Sequence, residues 1–71
     1  MTGTPEVWPG ADGSPVSCRE KVKMLEENHA ELHQVLQDAF EDALLVGVDE
    51  AAMRQLLRDV VEGLHSPKRS R

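Results

Sequence analysis

From Val22 to Val46 the apolar residues return at intervals of three and four: Val22, Leu25, Leu32, Leu36, Ala39, Phe40, Ala43 and Val46. On a helix of 3.6 residues per turn these positions share one face, so the spacing predicts one amphipathic helix. Met24, Val35, Leu44 and Leu45 widen the stripe, most of all toward its C-terminal end, which implies contact on two sides. Just upstream, Ser17-Cys18-Arg19-Glu20 reads as a capping box, with Ser17 accepting from the Glu20 amide and Glu20 reaching back. No Gly or Pro falls between Ser17 and Val46. The predicted helix therefore spans 17–46, about thirty residues or roughly 45 Å.

Gly47 then supplies the left-handed residue that ends helices, and Asp49 the N-cap of a second one. Val48 and Met53 are spaced as a hydrophobic staple. The second helix is predicted over 50–65, with Met53, Leu56, Leu57, Val60, Val61 and Leu64 on its buried face. Gly63 loosens its last turn and Pro67 stops it. A turn as short as 47–49 makes the helices antiparallel neighbours. The fold class is thus all-α: an antiparallel two-helix hairpin over 17–66 with an irregular N-terminal arm. Because the second helix is the shorter, it shields the first only back to about residue 30. Val22, Met24 and Leu25 then need a second chain, the arm, or both, and a four-helix bundle built from two copies is expected.

The arm, residues 1–16, carries Gly3, Pro5, Pro9, Gly10, Gly13 and Pro15, a density that breaks regular elements. It reads as flexible and extended. Within it Val7-Trp8-Pro9 holds the only Trp of the chain, either in a free tail or folded back onto the hairpin. Residues 67–71 form a basic tail with Lys68, Arg69 and Arg71.

Composition sharpens this reading. The chain has no Tyr, one Phe and one Trp, too few aromatics for a strand-rich fold. Seventy-one residues make one domain at most. Cys18 is the single cysteine, so an internal disulfide is ruled out, and a hairpin this small is marginal without a partner. No segment has the length and apolarity of a membrane span or signal peptide, and a lone thiol fits a reducing compartment; a cytoplasmic location is expected. The net charge of −5 argues against nucleic acid as the main ligand.

Three constellations invite a chemical reading. His29 and His33 are four apart, on one helix face, as metal-binding histidines often are. Glu26-x-x-His29 and Glu62-x-x-His65 echo the pairs that di-iron bundles project inward. No further carboxylates expected to be buried accompany them, so they read as boundary residues, and neither metal nor cofactor is expected. Cys18, placed at the first helical position beside Arg19 and Lys21, is a possible reactive thiol. Phosphate loops, nucleophile elbows and zinc-knuckle spacings are missing, so no catalytic residue and no small-molecule substrate are assigned.

The first helix begins with Arg19, Lys21 and Lys23 and ends with Asp38, Glu41 and Asp42, against the preference of the helix dipole. Such an order suggests pairing between molecules. The expected function is a non-enzymatic interaction or adaptor protein, acting as a homodimer or on another protein. Its expected contact residues are Trp8, Val22, Leu25, Leu32, Leu36, Phe40, Glu41, Asp42, Leu57 and Val61. The alternatives are a small metal- or thiol-dependent sensor and a nucleic-acid regulator built as a helical-hairpin dimer.

Overall fold

The computed structural model describes residues 7–67 and contains two helices, α1 (Arg19–Leu45) and α2 (Glu50–Glu62), and no strand among those residues. The basic tail Lys68, Arg69 and Arg71, with the arm's Gly3 and Pro5, lies outside the described residues. The chain forms two compact units that meet between Val35 and Leu36, with α1 running through both.

In the first unit, residues 8–16 turn back on themselves instead of running extended. Val16 donates to the Trp8 carbonyl (2.8 Å) and Gly10 to the Ser14 carbonyl (2.9 Å), bracketing an antiparallel bridge between Pro9 and Pro15. In an antiparallel pair every second facing couple exchanges no hydrogen bonds, and both prolines occupy that couple, where a missing N–H costs nothing. At the tip Asp12 accepts from the Ser14 amide (2.9 Å), a side-chain mimic of a turn. Gly10 is required here, because a Cβ would run into the Ser14 carbonyl.

This loop moves the helix start. The sequence places the cap at Ser17, yet α1 begins at Arg19, and the Cys18 carbonyl accepts the Val22 amide (2.9 Å). Val16 is tied to Trp8, so residues 16–18 stay non-helical and the capping position passes to Cys18.

In the second unit α1 ends at Leu45 rather than Val46, in a complete Schellman motif. Val48 donates to the Ala43 carbonyl (2.9 Å) and Gly47 to that of Leu44 (3.1 Å), with Gly47 at φ 102°. Asp49 caps α2 by accepting from the Ala52 amide (2.9 Å). α2 stops at Glu62, short of the expected residue 65, since Gly63 takes the cap position and the weak helix former ends the ladder.

The principal correction concerns the core. Among the described residues none is buried. Of the expected inward face of α2, only Met53 and Leu57 are half-buried, while Leu56, Val60, Val61 and Leu64 stay between 54% and 73% exposed. Two helices cannot enclose a side chain on all sides, so a wide apolar stripe leaves its flanks in water.

Candidate functional site

In the first unit the Trp8 indole lies against α1. Its ring meets the His29 imidazole edge to face, centroids 6.2 Å apart and planes at 80°. Trp8, Leu25, Asn28, His29 and Leu32 line a shallow, almost wholly apolar groove of about 180 Å³. The four helical positions are spaced i, i+3, i+4 and i+7, so they present one surface to the loop. The bridge between Pro9 and Pro15 holds Trp8 in place by fixing the residue that follows it. Trp8 Nε1 is shielded from solvent and has no acceptor among the described residues. Leaving such a donor unpaired costs about 1–3 kcal/mol, so the indole is only partly satisfied within the chain.

The expected contact residues divide by unit. Trp8 and Leu25 come together in the groove with Leu32, while Val22, one turn before Leu25, is half-buried and outside the groove lining. Leu36, Phe40 and Leu57 are half-buried in the second unit, and Glu41, Asp42 and Val61 are exposed there. Sequence reasoning missed Asn28 as a groove wall and left His29 a boundary residue with no groove role. The heptad-like spacing from Leu25 was the available signal. It also missed Arg54, whose guanidinium stands 4.6 Å over the Phe40 ring while bonded to Glu50 at 3.1 Å. Both partners of that ion pair are more than half exposed, which keeps its contribution to a few tenths of a kcal/mol.

Cys18 is exposed and its thiol is free. The Lys21 amide, then the Glu20 amide, hydrogen-bond the sulfur and hold its pKa below the ordinary thiol value; desolvation opposes them, and the Lys21 charge, the smallest influence, acts with them. The side chain that caps α1 is thus a sulfur, and the cap favours the thiolate. Among the described residues no group of three or more His, Cys, Asp or Glu side chains is placed to hold a metal ion. No helix among them is long and apolar enough to cross a membrane. No protein-family model, no curated protein and no solved structure matches this chain.

Proposed function

We propose that this protein is a non-enzymatic interaction module of the cytoplasm that works by covering its apolar helix faces with a second protein surface, first of all a second copy of itself. One observation carries the reading: the folded chain has no buried residue among those described, yet holds Leu56, Val60 and Val61 along α2, and Leu64 just past its end, at more than half exposure. Isolated helices this short are marginal in water, and such helices draw their stability from packing of an amphipathic face. Contiguous exposed apolar surface marks interaction sites. Leu45 and Val46, just before the turn, are 84% and 81% exposed.

In this reading two copies pack through α2 with their turns at opposite ends, toward a four-helix bundle. Asp38, Glu41, Asp42, Asp49 and Glu50 of one copy then face toward the end of the other that carries Arg19, Lys21 and Lys23. Exposed pairs contribute only about 0.2–1 kcal/mol each, so the charges orient the copies and the apolar face drives association. Sedimentation tests this: wild type should run at twice the 7.9 kDa chain mass and Val60→Glu with Leu64→Glu at the chain mass. A wild-type monomer at high concentration would defeat the self-association.

A thiol-based sensor is the second reading, favoured by the lowered pKa of exposed Cys18 alone. It calls for reversible modification of Cys18 by peroxide at a rate above that of an unstructured peptide bearing the same thiol; equal rates would dispose of it.

A further inference from the structure

The groove beside Trp8 is a different surface from the α2 face, and its surroundings differ in charge. Along α1 from Met24 to Val35, Asn28 and Leu32 continue into Met24 and Val35, with Leu32 57% and Val35 63% exposed. This strip, at spacings of four, four and three, flanks the half-buried line of Val22, Leu25 and His29. Glu27 and Glu31 lie along its outer border and Glu26 on the far side of the helix stripe. The stretch from Met24 to Val35 holds no Lys or Arg; Lys21 and Lys23 stand just ahead of it. The surface is therefore an apolar furrow with an acidic rim.

We infer that this furrow receives a basic amphipathic helix of another protein, one apolar side chain of which enters the groove lined by Trp8, Leu25 and Leu32. The volume, about 180 Å³, suits a single side chain: an engineered cavity of ~150 Å³ accepts benzene. The strip runs along α1, so an incoming helix laid beside it can set its own i, i+3, i+4 and i+7 anchors against it. The rim selects the sign of the partner. A two-fold contact sets a patch against its own copy, so a second copy of this chain would bring Glu27 and Glu31 against Glu27 and Glu31. Flanking Lys or Arg on the incoming helix meets the same carboxylates with opposite charge. The inference rests on the reading of the protein as an interaction module, but concerns a surface apart from the one assigned to self-association.

The test uses the full chain and labelled model peptides of about 18 residues, five helical turns, that share one Leu-rich face. Their opposite faces carry Lys, Gln or Glu. The Lys peptide should bind saturably, shift the Trp8 emission, and bind at least about tenfold tighter than the Glu peptide at low salt. That preference should fade at ~1 M salt, where the Debye length falls to about 3 Å. Glu27→Lys with Glu31→Lys, both exposed, should reverse the order of the peptides while the circular dichroism stays that of wild type. Trp8→Ala, followed by peptide anisotropy, should weaken binding of all three. Equal affinity for the Lys and Glu peptides, or binding that ignores the double charge variant, would overturn the inference. Val60→Glu with Leu64→Glu keeps the two ideas separable: that variant should lose self-association and retain the Lys peptide. A wild-type chain that stays monomeric yet binds the Lys peptide would count against the self-association reading and leave the furrow standing.

Discussion

Trp8 and His29 stand edge to face at 6.2 Å, joining a loop that begins the described chain to the middle of its longest helix. Twenty-one positions separate them in sequence. The pair holds the loop down on Leu25 and Leu32, so the state of Trp8 reports whether the first unit is folded.

The Trp8 emission should accordingly be blue-shifted and protected from aqueous quencher. Trp8→Ala should lower stability toward urea by about 1–2 kcal/mol, given a half-buried indole and an aromatic pair worth roughly 0.5–1.5 kcal/mol. Combined with His29→Ala the losses should fall short of additive by a measurable coupling. Emission typical of free tryptophan in water would show that the loop does not dock.

Metal should play no part in that pair. The purified protein is expected to carry no stoichiometric zinc or iron, and His65→Ala, at an exposed position, should change stability by no more than about 0.5 kcal/mol. Elemental analysis that found tightly bound metal, lost on either histidine substitution, would bring back the sensor built on Glu26, His29, Glu62 and His65.

The cap on α1 makes a pH-dependent prediction. A thiol whose pKa is lower in the folded chain than in the unfolded chain adds stability above its unfolded pKa, and the addition is lost as pH falls through the folded value. Helix stability should therefore rise with pH across the thiol range in wild type, and not in Cys18→Ser. Iodoacetamide alkylation of the native protein should reach half its maximum at lower pH than in strong urea. Coincident alkylation profiles would mean that the backbone amides of Glu20 and Lys21 do not hold the thiolate.

At the turn, Gly47 adopts φ 102°, a region that costs an L-residue about 1–2 kcal/mol. Gly47→Ala should lose roughly that much, and Asp49→Ala about 1 kcal/mol through the lost bond to Ala52. Thermal melts read both. A Gly47→Ala protein as stable as wild type would contradict the Schellman geometry.

Orientation of the two copies is open to cross-linking. A carboxylate-to-amine reagent should join Lys21 or Lys23 of one copy to Asp49 or Glu50 of the other. Links between the two turns would show copies arranged turn to turn instead.

Two helices, their sense of turn and their caps at Gly47 and Asp49 were determined by the sequence itself. Each depends on residues within one helical turn of one another: apolar spacing of three and four, a glycine free to adopt positive φ, and a carboxylate three positions before the amide it caps. The early end of α2 was half visible for the same reason, since Gly63 and Pro67 marked the place but not the residue at which the ladder gives way. What only the tertiary structure decided depends on residues far apart. Nothing local to Ser17 and Cys18 says which of two adjacent acceptors caps α1; the tether from Val16 to Trp8 chose Cys18. Nothing local to Pro9 or Pro15 says that two prolines can face each other at a bridge position needing no donor. The exposure of Leu56, Val60, Val61 and Leu64 has the same origin: an apolar stripe shows that a face will be buried if a partner exists, while the partner's presence is set by the packing of the whole chain.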